Sequence, residues 1–252
     1  MAAVKFERWK EVGACLFDQS NMPSTLTGRA ILRKPLPQLH ITSNHTTSSA
    51  VHDKAFLGPL RDWANFFQEV KQFEKSQDWS PKLLGWSLRV LDAQGIKARF
   101  ADFKSADIAD AYSGYTCIPD VALISTDPAS INQLKAVGEL KTPWVRAHRF
   151  EHYPTAEHKA FLFAQVIKYM FELRVMYGFM STYESTVFLR QVFRDGEWIV
   201  EYSPNVKATF DGSGTGNEPP SLRQCFAYLS SLASEQAFVD NRTRRADWFR
   251  YA

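Results

Sequence analysis

The chain has 252 residues, 45% of them hydrophobic and 14% aromatic, with a formal net charge of +3. That length can bury a substantial core in one domain with extensions, and the mildly basic balance permits nucleic-acid binding without demanding it. Cys15, Cys117 and Cys225 stand apart with no CxxC pair, which argues against a thiolate zinc site and a disulfide framework.

Met1 to Arg8 lacks the apolar core of a secretory signal, and no run is apolar enough to span a membrane. The expected setting is intracellular, cytoplasmic or nuclear, with no membrane partner. Residues 1–54 are expected to form an N-terminal extension in which Phe6, Trp9, Val12 and Leu16 line a helical face, followed by a polar stretch over 42–49.

The spacing of Phe56, Leu60, Trp63, Phe67, Val70 and Phe73 predicts a helix over 55–76. Ser80-Pro81 marks a second helix start, with Gly95 at its end. Residues 96–103 alternate as a strand, and two further strands are expected over 115–125 and 135–142, with Pro143 closing the second. A long helix follows from Thr155 to about Tyr177, with Thr155 as its N-cap and Gly178 as its terminator. Three strands then cover 179–183, 186–193 and 198–202, the last two joined by an Asp195-Gly196 hairpin turn. The glycine-rich stretch 211–220 lacks the Lys-Ser/Thr ending of a phosphate-binding loop, and a final helix is expected from Ser221 to about Phe238. This order predicts one domain of the α+β (mixed α/β) class, a central mixed sheet flanked by helices.

The candidate site lies in the two middle strands. Side chains alternate along a strand, so Glu139 and Lys141 share one face. If the strand carrying Asp120 pairs with theirs, Asp120 and Glu139 converge on one cation beside Lys141. Two carboxylates and the Leu140 carbonyl suit a hard ion such as Mg²⁺, or Mn²⁺ in its place. A lysine beside that ion can position an attacking water or steady phosphate charge, which is the chemistry of phosphodiester hydrolysis. Gln165 and Tyr169 lie four residues apart and share a helix face.

The loop after the second strand carries Arg146, His148 and Arg149, candidates for contact with the phosphates of DNA or RNA. The plainer reading is a solvated loop for these, a turn residue for Asp120, a solvated strand face for Glu139 and Lys141, and a surface pair for Gln165 and Tyr169. His148, His152 and His158 match no zinc spacing. The arginines over 242–250 are a further candidate for backbone contact.

Pro119-Asp120 followed by Glu139-Leu140-Lys141 resembles the PD-(D/E)XK nuclease superfamily, whose core runs helix, three strands, helix, strand. Gln165-x-x-x-Tyr169 resembles a motif of its RecB and lambda-exonuclease branch, and Gly138 to Trp144 is similar to fungal proteins with this core. The resemblance covers about 55–205 and leaves 206–252 as a C-terminal loop and helix outside it. It implies a restriction-endonuclease-like core, an endonuclease or exonuclease activity, and roles for Gln165 and Tyr169 in supporting Lys141 and a substrate strand. The family often adds a carboxylate from its first helix, for which Glu69, Glu74 and Asp62 are candidates. The alternative is a catalytically inactive nuclease-like fold that binds nucleic acid or a protein partner.

Overall fold

A computed structural model describes residues 27–38, 54–79, 90–104, 115, 117–214 and 218–251. The helical face over Phe6 to Leu16, the polar stretch 42–49 and the helix start at Ser80-Pro81 lie outside those residues. The described elements are α1 (Gly28–Arg33), β1 (Lys54–Phe56), β2 (Leu60–Asp62), α2 (Phe66–Ser76), α3 (Val90–Ala93), β3 (Ala98–Asp102), β4 (Val121–Ser125), β5 (Leu134–Leu140), α4 (Ala156–Glu172), β6 (Tyr177–Ser181), β7 (Ser185–Arg194), β8 (Glu197–Tyr202), β9 (Val206–Lys207), α5 (Leu222–Glu235), α6 (Arg245–Trp248) and β10 (Phe249–Tyr251).

The main sheet runs β2-β8-β7-β6-β5-β4-β3, with β9 pairing β7. It is mixed: β3, β4 and β5 pair antiparallel, β5 and β6 parallel, and β6, β7 and β8 antiparallel. Strand β5 lies inside the sheet, between β6 and β4, and is buried along most of its length, as a strand covered on both faces must be. One face packs α4 through Phe163, Val166, Ile167 and Met170. The other packs α2 and α5 through Phe66, Val70, Phe226 and Leu229. Glu139 and Leu140 thus belong to opposite sides of one covered sheet.

Helix α4 begins where its cap requires: the Thr155 hydroxyl accepts from the His158 N–H at 3.2 Å. It ends at Glu172, before the expected Gly178. Gly178 is instead inside β6, where a Cβ would meet the Met170 side chain 2.6 Å away. Its role is close helix-to-sheet packing. At α5 a capping box forms: the Ser221 hydroxyl accepts from the Gln224 N–H, and the Ser221 N–H donates to Gln224 Oε1 at 2.7 Å. The β7–β8 hairpin turns through Asp195 and Gly196 at positive φ (52° and 86°), as a two-residue turn of this hand demands.

The expected helix over 55–76 is corrected in its first half. Only Phe66–Ser76 is helical, and β1 and β2 precede it. Gly58-Pro59 breaks any helix there. Distant partners then take both segments: β1 pairs antiparallel with β10, and β2 pairs parallel with β8. The arginine tail is partnered as well. Arg242 meets Asp240 at 2.7 Å, Arg244 meets Asp247 at 3.0 Å, and Arg245 meets Glu172 at 2.9 Å. No helix among the described residues is long and apolar enough to cross a membrane.

Candidate active site

Val121 faces Gly138 in the antiparallel β4–β5 register, and the Asp120 N–H donates to the Gly138 carbonyl at 3.1 Å. Asp120 immediately precedes β4, and its charge and that of Glu139 both act on the Tyr169 hydroxyl of α4, so both carboxylates lie toward the α4 face. The Asp120 carboxylate folds back onto the strand, where Oδ2 accepts from the Leu140 N–H at 2.8 Å. Asp120 itself is exposed, whereas Glu139 is only 5% exposed and its Oε2 is shielded from solvent.

Lys141 follows two residues after Glu139, on the same face. Its Nζ donates to Glu139 Oε1 at 2.7 Å and to Gln165 Oε1 at 2.9 Å. Gln165 in turn donates from Nε2 to the Tyr169 hydroxyl at 2.6 Å. The chain Glu139–Lys141–Gln165–Tyr169 therefore ties β5 to α4. Charge-assisted hydrogen bonds of this kind are shorter and stronger than neutral ones. Burial, then the nearby negative charges of Glu139 and Asp120, push the Tyr169 hydroxyl well above the ordinary tyrosine range; the Gln165 bond works against them. Tyr169 is thus a neutral fixture that both carboxylates can feel.

The structure places Glu69 elsewhere. Its Oε2 accepts from Trp63 Nε1 at 2.9 Å and from the Tyr228 hydroxyl at 2.8 Å, with Arg190 at 3.8 Å. Trp63 and Tyr228 belong to the core on the α2–α5 side of the sheet, opposite α4. The proposed addition of Glu69 to the Asp120–Glu139 set is therefore corrected: the sheet separates them. Glu74 is held by Arg29 and Arg33 at 2.8 and 2.7 Å. Asp62, at the end of β2, contacts the Tyr202 hydroxyl. Among the described residues no three His, Cys, Asp or Glu side chains gather as a metal cluster.

No protein-family model, curated protein or solved structure matches this chain.

The loop after β5 forms two short 3₁₀ turns, Arg146–His148 and Phe150–His152. Arg146 and Arg149 are exposed; Arg149 Nε also donates to the Pro143 carbonyl at 3.2 Å. His148 is turned inward, with Nδ1 at 3.2 Å from the Thr142 hydroxyl and 3.1 Å from its carbonyl. It braces the loop, leaving the two arginines as its outward cations.

A second buried polar group adjoins the site and was not foreseen. Lys168, 4% exposed, places Nζ 3.0 Å from Cys117 Sγ and 3.6 Å from Glu172 Oε2. The Tyr115 hydroxyl donates to the same Glu172 oxygen at 2.7 Å. The four-residue spacing of Lys168 and Glu172 was the one available signal. Their contact anchors the segment leading into Asp120 against α4.

The donor set at Asp120 and Glu139 is chemically suited to a hard cation. Mg²⁺ is usually held through one or two carboxylates, with water and phosphate oxygens completing its shell. A third protein carboxylate is not required.

Proposed function

We propose that this protein is a Mg²⁺-dependent nuclease that hydrolyses phosphodiester bonds of DNA or RNA, with a restriction-endonuclease-like core. The observation that carries this reading is the position of Lys141 Nζ, bonded to Glu139 near the end of β5 and to Gln165 on α4. With the one-turn α3 set aside, the order α2, β3, β4, β5, α4, β6 supports it, because it follows the helix, three-strand, helix, strand sequence of the PD-(D/E)XK core. The antiparallel β3–β4–β5 pairing with parallel β6 gives that order a continuous sheet.

Asp120, Glu139 and the Leu140 carbonyl would hold the ion, which supplies Lewis acidity and a more acidic water at the phosphate. The ammonium of Lys141 has three N–H donors, and two serve Glu139 and Gln165. The third can hold a water or a phosphate oxygen. Gln165 and Tyr169 fix where that ammonium points. Arg146 and Arg149, exposed on the loop that leaves β5, would meet backbone phosphates.

The placement of Glu69 across the sheet favours one competing reading, a nuclease-like fold that binds nucleic acid or protein without cleaving. Calorimetric titration with Mn²⁺ separates the two. The nuclease reading expects binding that Asp120→Asn abolishes. Binding that is absent, or unchanged in that variant, favours the inactive fold.

A further inference from the structure

Phe161 is an aromatic side chain left at the surface of α4. It is 47% exposed, makes no ring contact among the described residues and packs against neither core cluster. A single exposed apolar residue is ordinary, so its meaning depends on where it stands.

Helix geometry fixes that place. Successive residues of an α-helix turn by about 100°, so Phe161 stands about 40° from Gln165 and about 20° from Lys168, between the two. Gln165 bonds Lys141, and Lys168 bonds Cys117 on the segment leading to Asp120. Phe161 therefore shares the side of α4 that holds the candidate site, about 6 Å nearer the helix start than Gln165. The segment before Asp120 runs along this same side. Tyr115 bonds Glu172, and Cys117 bonds Lys168 one turn earlier in the helix. Each step forward along the segment thus moves toward Phe161. Ile118 comes next and is 39% exposed. The helix and the segment each leave one large apolar side chain in water beside the site.

The charges around Phe161 are mixed. His158 stands about 60° from it on the Gln165 side, and Glu157 about 40° from it on the other. Both are exposed, as are Arg146 and Arg149 on the loop that leads into α4. Glu157 repels a phosphate chain from its edge of the helix, and the arginines attract one. An uncharged base can lie on the Phe161 ring between them. Phe161 and Gln165 are neighbours on one helix face, and Gln165 Oε1 is 2.9 Å from Lys141 Nζ. No buried side chain therefore separates the ring from the ammonium.

We infer that Phe161 is a stacking platform for an unpaired base of the strand whose phosphate meets Lys141. Every base has a π-face, so the platform selects single-stranded nucleic acid or an opened end, not a sequence. A base held in a duplex reaches such a ring only by leaving its stack. This inference rests on the nuclease reading.

The test is fluorescence anisotropy of a labelled oligothymidylate against an abasic sugar-phosphate oligomer of the same length. The whole chain is used, in Ca²⁺, with the strands checked to be intact. The expected result is a preference for the thymidylate strand of about tenfold or more, the scale of one stacked base. Phe161→Ala and Phe161→Leu lose that preference, and Phe161→Trp restores it. Equal binding of the two probes, binding of neither, or a preference that Phe161→Leu keeps overturns the inference. Lys141-dependent cleavage without the preference removes the platform and leaves the nuclease. A Phe161-dependent preference without cleavage of any nucleic acid keeps the platform and removes the nuclease.

Discussion

Lys141, the residue just after β5, and Gln165 on α4 meet at 2.9 Å, so the ammonium that closes the Glu-x-Lys motif is held by the helix packed across the sheet. That bond joins two residues 24 apart in the chain into one polar unit. It also fixes a direction for the lysine, because Gln165 is itself held by Tyr169.

Gln165→Ala should leave the fold in place and lower Mg²⁺-dependent cleavage by about 10- to 100-fold, the usual effect of losing a group that orients a functional side chain. Tyr169→Phe should give a smaller loss, since it removes only the hydroxyl that steadies Gln165. Steady-state rates on one labelled oligonucleotide check both. A Gln165→Ala variant that cleaves as fast as the parent would detach α4 from the proposed chemistry.

Glu69→Ala should destabilise the protein by about 1–3 kcal/mol, because it leaves the Trp63 and Tyr228 donors without their shared acceptor. Mn²⁺ affinity should not change, since the sheet lies between Glu69 and Asp120. Urea unfolding and metal titration of the same variant measure the two effects separately. A lost metal site would place Glu69 in the centre after all.

Burial works to raise the Glu74 carboxyl, and hydrogen bonds from Arg33 and Arg29 outweigh it, holding it below the ordinary value of 4.5. A carboxyl depressed in the folded state stabilises the fold above that ordinary value and loses its contribution as the pH falls through the lowered one. The wild type should therefore lose stability on acidification below about pH 4.5, and Glu74→Gln should lose less over the same window. Urea midpoints at pH 7 and pH 3 check this. An equal acid loss in both proteins would assign the effect to other carboxyls.

Burial pushes the Tyr177 hydroxyl up to about 12, and Tyr169, Tyr202 and Tyr228 rise further. These phenols are held neutral in the folded state, so their stabilisation is complete below the unfolded tyrosine value near 10 and should be lost as the pH rises from there through the folded value, about 12 for Tyr177. Absorbance at the phenolate band should show these groups titrating late and together with unfolding. Titration of all tyrosines near pH 10 with the fold intact would contradict their burial.

The central strand and long helix were legible because each carries one strong local pattern: alternation around Glu139 and Lys141, and apolar spacing with a Thr155 cap over α4. Gln165 and Tyr169 were readable as a pair because four-residue spacing fixes a helix face. What that face meets is a tertiary fact. For the same reason Glu69 could be placed on a helix, while the side of the sheet that α2 would cover could not. Strands β1 and β2 were hidden because Phe56, Leu60 and Trp63 mimic helical spacing, and the partner of β1 lies at the far end of the chain.

The most direct measurement is cleavage of labelled single-stranded and duplex DNA and RNA in Mg²⁺ by the parent and by Lys141→Ala. The predicted result is metal-dependent cleavage by the parent that falls by about 10²-fold or more in the variant, with its fold retained. Equal cleavage by both proteins, or none by the parent on any of these substrates in Mg²⁺ or Mn²⁺, would contradict it.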